Sequence, residues 1–158
     1  MDLIIKSDSE ERTLALGQTL GAALSPGDVV CLEGELGTGK TVVVRGIARG
    51  RGFDGAVRSP TFIIINSYPE AQLCHVDAYR LNDGEQLIEA GIDDFLDGNW
   101  VCAVEWAERV RSALPSKRLS VSLSFGAGEN ERLIKIRETG GWDGRLAAVI
   151  REMLRDGT

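Results

Sequence analysis

The stretch Val29-Val30-Cys31-Leu32-Glu33-Gly34-Glu35-Leu36-Gly37-Thr38-Gly39-Lys40-Thr41 decides the fold. Its first five residues are a nearly continuous apolar run, which suits a strand buried on both faces inside a parallel sheet. The next eight match G-x-x-x-x-G-K-[ST], with Gly34, Gly39, Lys40 and Thr41 in register. A chain of phosphates can be wrapped only where backbone N–H groups converge, in conformations and at distances that a Cβ obstructs. Gly37 loosens the loop further. Val42–Ala48 then reads as a helix, whose positive dipole end points at the same anion. Lys40 can reach the β- and γ-phosphates, and the Thr41 hydroxyl can ligate Mg²⁺. An apolar strand before and a helix after distinguish a phosphate loop from an ordinary glycine-rich turn.

Working outward, Leu3–Ile5 reads as a short strand. Ser7 and Glu10 have capping-box spacing ahead of a helix carrying Leu14, Leu20, Ala23 and Leu24. Residues 61–76 read as two strands joined at Pro69-Glu70. Asn82 or Asp83 caps a short helix through Ala90, ended by Gly91. Trp100–Val104 is a further apolar strand, residues 107–114 read as one short helix, and Pro115 stops it. Leu119, Val121, Leu123 and Phe125 alternate as a half-buried strand, with Leu133–Ile136 returning as its hairpin partner although Leu133 breaks the alternation. A helix over Trp142–Leu154, with Leu146, Val149, Ile150 and Met153 on one face, closes the chain.

The chain has 158 residues, close to the roughly 150 of an average domain, and reads as one unit over residues 1–158. Its 18 basic and 24 acidic residues give a net charge of −6, which argues against a general nucleic-acid binder while leaving room for a local basic patch. No apolar run approaches the ~20 residues of a membrane span, and MDLIIKSDSE lacks the pattern of a signal peptide. Cys31, Cys74 and Cys102 are 43 and 28 residues apart, which fits no zinc spacing. Each sits in an apolar stretch and reads as a reduced core thiol of a cytoplasmic protein. His75, the single histidine, follows Cys74 on a strand, so the two point to opposite faces and cannot share a metal. Zinc is not expected. Glycine, at 19 residues, exceeds the ordinary level of about 7%. The loop accounts for three of these, while Gly27, Gly52, Gly91, Gly126 and Gly128 read as turns and helix ends.

The charges are unevenly distributed. Residues 40–58 hold Lys40, Arg45, Arg49, Arg51 and Arg58 against Asp54 alone. That segment is either a solvated helix face or a docking face for protein or RNA phosphate. Residues 70–108 hold ten acidic residues against Arg80. Glu85, Glu89, Asp93, Asp94 and Asp97 read as solvated. Asp77 and Glu105 differ because each comes at the end of an apolar strand, where α/β sheets bind ligands. An isolated carboxylate there is costly; either Mg²⁺ removes the cost or the residue caps a helix.

Beyond the loop, SPTF (59–62), HVDAYRL (75–81), EAGIDDF (89–95) and VEWAE (104–108) follow in an order and spacing that resembles the TsaE family, formerly YjeE, over about residues 9–125. Members are small bacterial ATPases acting with TsaB and TsaD, which make threonylcarbamoyladenosine beside the tRNA anticodon. The resemblance implies an α/β single-domain P-loop NTPase fold, with a central, mostly parallel sheet flanked by helices and an antiparallel C-terminal hairpin. It implies an ATP hydrolase of low intrinsic turnover, stimulated by its partners, that resets the TsaD–TsaB complex. The tRNA would be met indirectly or through the basic patch.

By the same resemblance Glu35, Leu36, Gly37, Thr38, Gly39, Lys40, Thr41 and Val42 bind ATP or ADP, with Trp106 beside the nucleotide. Lys40, Asp77 and Glu105 form the catalytic set. Thr41 and Glu105 hold Mg²⁺, and Asp77 acts at the metal or the attacking water. Ser59-Pro60-Thr61 is a switch-like loop sensing the γ-phosphate. Adenine contacts are expected from the N-terminal turn and the late hairpin. Val42 departs from the pattern, since many relatives place a second hydroxyl residue there.

Two other classes compete. A small P-loop kinase would phosphorylate a metabolite or nucleoside, but it needs a lid bearing arginines, and only Arg109 and Arg111 are candidates. A nucleotide-dependent binding module would switch partner contacts with little hydrolysis.

Overall fold

The structure, a computed structural model, describes residues 2–58 and 63–140, together with Gly144, Leu146, Ala148, Ile150, Arg151 and Arg155. In chain order its main elements are β1 (Asp2–Ser7), α1 (Glu10–Ala23), β2 (Val29–Glu33), α2 (Lys40–Gly50), β3 (Ile65–Tyr68), β4 (Leu73–Asp77), α3 (Gly84–Glu89), β5 (Val101–Glu105), β6 (Arg118–Phe125) and β7 (Arg132–Thr139). The strands form one sheet in the order β1-β7-β6-β2-β5-β4-β3. β2 lies between β5 and β6 and is parallel to both, and β4 adds in parallel beyond β5. The remaining pairings are antiparallel. The parallel centre and the C-terminal hairpin are thus both present. Antiparallel pairing also reaches the opposite edge, because the turn at Pro69–Ala71 folds β3 straight back along β4.

Strand parity sorts the core into two layers. Val30 and Leu32 of β2, Val101 and Ala103 of β5, and Leu119, Val121 and Leu123 of β6 face the side covered by α1 and α2. Val29, Cys31, Cys74, Val76, Cys102 and Val104 face the other side, where Leu87, Ile92, Val110 and Leu114 cover them. Each of these fully buried aliphatic side chains stabilises the fold by roughly 1.5–3 kcal/mol over its exposed state. All three cysteines are free and buried. Burial pushes the Cys31 thiol up to about 12. Cys74 is raised too, first by its hydrogen bond with Cys102 across the β4–β5 pair and then by burial. Among the described residues no helix is long and apolar enough to cross a membrane.

Helix α2 is set by its contact with α1, and that contact explains glycines that turns do not. A Cβ on Gly21 would stand 2.3 Å from the Ile47 carbonyl oxygen, and one on Gly46 would stand 2.4 Å from that of Leu14. Gly17 and Gly50 meet backbone as closely. On each helix the pair is four residues apart and therefore on one face, so the two backbones touch where side chains would hold them apart. The first turn of α2, with Lys40 and Thr41, is positioned by this crossing.

Some local readings change. Ser9, not Ser7, caps α1, its Oγ accepting from the Arg12 N–H at 3.1 Å. Ser7 stays in β1 because it pairs with Arg132 of β7, and its buried hydroxyl bonds the Ser9 carbonyl and Thr13 Oγ1. Residues 107–114 form two 3-10 turns, Ala107–Arg109 and Arg111–Ala113, instead of one helix. Val110 sits between them at φ −131° with its side chain fully buried; eight residues are too few to hold a helix against that pull. Leu133 is 40% exposed on the outer face of β7, so the alternation of Ile134 and Ile136 into the core is intact. Asp83 caps α3 as expected, and Gly91 follows it at φ +101°. In the last segment Leu146 and Ile150 are helical and join the α1/α2 core. Trp142, Val149 and Met153 of that reading lie outside the described residues, as do Ser59, Pro60, Thr61 and Phe62.

Candidate functional site

The loop between β2 and α2 is held open by its own backbone. Gly34 adopts φ +145°, where a Cβ would lie 2.4 Å from the Leu123 carbonyl oxygen, and Gly39 caps α2 at φ +105°. The Thr38 hydroxyl turns inward to the Glu35 carbonyl at 2.8 Å. Lys40 folds back along the loop, donating to the carbonyls of Gly34 at 2.6 Å and Glu35 at 2.8 Å. Its ammonium lies 4.2 Å from the centre of the Trp106 ring. Burial lowers its pKa from the ordinary lysine value, while the charges of Glu105, Glu108 and Asp77 act in the opposite direction. A buried cation bonded to two carbonyls and an aromatic face is suited to accept an anion.

Parity brings the carboxylates to the same place. His75 and Asp77 of β4 point to the side of the sheet occupied by α2, as do Ala103 and Glu105 of β5, with Asp77 beside Glu105 in register. Glu105 is 3% exposed. Its carboxylate accepts from the Thr41 hydroxyl at 3.1 and 3.2 Å, and His75 Nε2 stands 2.5 Å from its Oε2. Asp77 is half-buried and accepts from the Tyr79 N–H at 3.0 Å. The Ala78 N–H bonds the Glu105 carbonyl and the Trp106 N–H bonds that of Leu32, so main-chain pairing ties the ends of β4, β5 and β2 together.

A cavity of about 620 Å³ opens over this cluster, within the range of small-molecule sites. Trp106 forms one wall in the left-handed conformation, φ 58° and ψ 39°, which costs a bulky residue about 1–2 kcal/mol. Backbone strain of this kind collects where a side chain must be aimed. The ring packs against Tyr79 at a tilt of 55° with centroids 5.0 Å apart, and the Arg109 guanidinium lies over both. A second hollow of about 130 Å³, on the other side of the loop, is lined by Ser9, Glu10, Thr13, Asn130 and Arg132. The N-terminal turn and the late hairpin therefore do meet beside the loop.

Of the residues expected from the sequence to bind a nucleotide, Leu36, Gly37, Gly39, Lys40, Thr41, Val42 and Trp106 line the larger cavity, as do Asp77 and Glu105. Glu35 contributes its carbonyl while its side chain is exposed, and Thr38 lines the smaller hollow. Glu85, Glu89, Asp93, Asp94 and Asp97 are exposed, as read from the sequence. The basic segment divides. Arg51 ties α2 to the carbonyls of Ala71 and Leu24, Arg45 pairs with Glu10 at 3.4 Å, and Arg49 and Arg58 are exposed. Arg111 is engaged by Glu33 at 3.0 Å, so of the two candidate lid arginines only Arg109 is at the site. Sequence reading quoted His75 and Tyr79 within HVDAYRL but gave neither a role at the site. The alternation His75-x-Asp77 was the available signal, because it puts both side chains on one face.

The donor set suits Mg²⁺ with a nucleotide. A hydroxyl and a carboxylate are hard oxygen ligands, and Mg²⁺ is bound by one or two carboxylates plus substrate phosphates. Among the described residues no three His, Cys, Asp or Glu side chains converge as a metal group, so the remaining ligands would come from phosphate and water.

Known proteins resemble the chain along most of its length. The model of the threonylcarbamoyl adenosine biosynthesis protein TsaE family matches residues 7–134. A tRNA threonylcarbamoyladenosine biosynthesis protein TsaE from Bacillus subtilis is 40% identical over 132 residues, 82% of this chain and 82% of that one. Its counterpart from Treponema pallidum is 38% identical over 128 residues, 80% of this chain and 95% of that one. The crystal structure of Bacillus subtilis YdiB superposes with a TM-score of 0.79 at 33% identity, covering 100% of this chain and 97% of that one.

Proposed function

The chain belongs to the TsaE family, and we propose that it serves tRNA threonylcarbamoyladenosine biosynthesis as an ATPase that binds and hydrolyses Mg-ATP in support of a TsaD–TsaB complex. The observation that carries this reading is the meeting of Lys40, Thr41 and Glu105 at one end of the parallel strands, beneath a cavity of about 620 Å³. The triphosphate lies in the loop, its charge met by the backbone N–H groups, the α2 N-terminus and Lys40. Lys40 exchanges the carbonyls of Gly34 and Glu35 for phosphate oxygens. Thr41 and Glu105 hold the Mg²⁺, which when bound neutralises phosphate charge. Water attacks the γ-phosphate in line with the departing ADP, with Asp77 acting at the metal or at that water. Trp106 and Tyr79 wall the site, and the hollow between α1 and the β6–β7 turn receives the adenine.

Against the kinase reading, Arg111, one of its two candidate lid arginines, is engaged by Glu33, and the other, Arg109, lies over the Tyr79 and Trp106 rings. The test is incubation of the protein with γ-labelled ATP, alone and with TsaD–TsaB. Phosphate release that rises with the partners supports the proposal. Transfer of label to a metabolite overturns it in favour of a kinase, and ATP-dependent partner binding without hydrolysis overturns it in favour of a switch.

A further inference from the structure

His75 is fully buried, and the Mg²⁺–nucleotide chemistry proposed above assigns it no task. Its Nε2 stands 2.5 Å from Glu105 Oε2, while Nδ1 is buried and meets no hydrogen-bond partner among the described residues. A carboxylate oxygen only accepts, so Nε2 carries the hydrogen and Nδ1 is the bare nitrogen. The alternative tautomer would bury an N–H with no acceptor and set a lone pair against the carboxylate. Across the β4–β5 pair His75 is in register with Ala103. The small side chain at 103 leaves the imidazole room to lean along the sheet and reach Glu105 two residues further on.

Glu105 is thus held from two directions. The Thr41 hydroxyl approaches both of its oxygens from α2, and His75 approaches Oε2 from within the sheet. We infer that His75 is a positioning residue: by donating to Oε2 it orients the Glu105 carboxylate toward Thr41 and the cavity, and so sets the affinity of the site for a divalent cation. Outer partners of this kind fix a ligand's rotamer, and their loss commonly weakens metal binding by 10–100-fold. Without His75 the buried carboxylate keeps the Thr41 hydroxyl but loses its restraint from within the sheet. The inference rests on the Mg²⁺–nucleotide reading of the site.

The test is Mn²⁺ binding to the ADP-loaded protein, followed by the loss of the free Mn²⁺ electron paramagnetic resonance signal, alongside ADP affinity in EDTA. For His75→Leu the expected result is a loss of Mn²⁺ affinity of about tenfold or more, with metal-free ADP affinity within about threefold of wild type. His75→Gln places an amide donor near the Nε2 position and restores Mn²⁺ affinity, whereas the shorter side chain of His75→Asn does not. Should His75→Leu fail to fold, the Gln and Asn variants decide between them. Unchanged Mn²⁺ affinity in His75→Leu, or equal affinities for Gln and Asn, overturns the positioning role and leaves the nucleotide reading standing. Wild-type protein that binds no Mn²⁺ in the presence of ADP overturns both.

Discussion

Strands β2, β4 and β5 are buried along nearly their whole length, whereas β1, β6 and β7 alternate between core and surface. The difference controls where charge can sit. A strand covered on both faces holds a charge cheaply only at its end, where the layers part, and the last residues of the three central strands are Glu33, Asp77 and Glu105. In the wing, charge is spread over the open face: Asp2 bonds Arg137 at 2.7 and 2.8 Å and lies 3.3 Å from Lys135. The centre therefore gathers its polar chemistry at one rim, and the wing disperses it.

The largest effect expected at that rim is from Lys40→Ala. Phosphate release, measured with the partner proteins, falls by about 100-fold or more, and nucleotide binding weakens as well. Unchanged release would remove the central claim about the loop. Next come the strand ends. For Glu105→Gln and Asp77→Asn, hydrolysis falls by roughly 10–100-fold, more than ADP affinity falls; equal losses would reduce both residues to binding. Glu33→Gln sharpens the contrast. Glu33 also ends a central strand, but it is held by Arg111 at 3.0 Å, away from Lys40, and its removal leaves hydrolysis within about twofold if the rim's chemistry belongs to one side of the sheet.

Gly46→Ala tests the helix crossing that places α2. A Cβ would meet the Leu14 carbonyl oxygen at 2.4 Å and the Gly17 Cα at 2.7 Å, so urea unfolding should show a loss of about 1–3 kcal/mol. A variant as stable as wild type would mean that the helices separate without cost. The smallest effect belongs to the wing. Its hydrogen bond to Arg137, and secondarily Lys135, hold the Asp2 carboxyl well below the usual carboxylate range. A carboxyl depressed in the folded state stabilises above its unfolded value and loses that contribution as pH falls toward its folded one. Asp2 is open to solvent, so Asp2→Asn should leave the neutral-pH melting temperature unchanged within error. A measurable drop would show the wing to be more than a solvated surface.

The parts of this molecule that were legible beforehand are those with local causes. The glycine-rich loop is contiguous, and glycines at 34 and 39 followed by Lys40-Thr41 specify backbone and charge without reference to anything distant. Glu105 and Asp77 could be picked out because each comes at the end of an apolar run. The end of the first strand was misread because Ser7 and Ser9 both satisfy the chemistry of a cap, and pairing of Ser7 with Arg132, 125 residues away in the chain, decides between them. Residues 107–114 have helical composition, yet the buried Val110 breaks them into two turns. Gly17, Gly21, Gly46 and Gly50 have no local signal of their role, because what a Cβ on each would meet is the backbone of the other helix.

Sequence alone determined the strand–loop–helix unit and the carboxylates at the strand ends, since each depends on residues near one another in the chain, and the family, since order and spacing of motifs are read along the chain without any contact between them. Tertiary structure decided which side chains share a point in space. The register of β4 against β5 puts His75 two residues short of Glu105, and the α1–α2 crossing sets Thr41 against the same carboxylate. Those contacts span 30 and 64 residues, and they exist only because hydrophobic burial on both faces of the central strands fixes their parity.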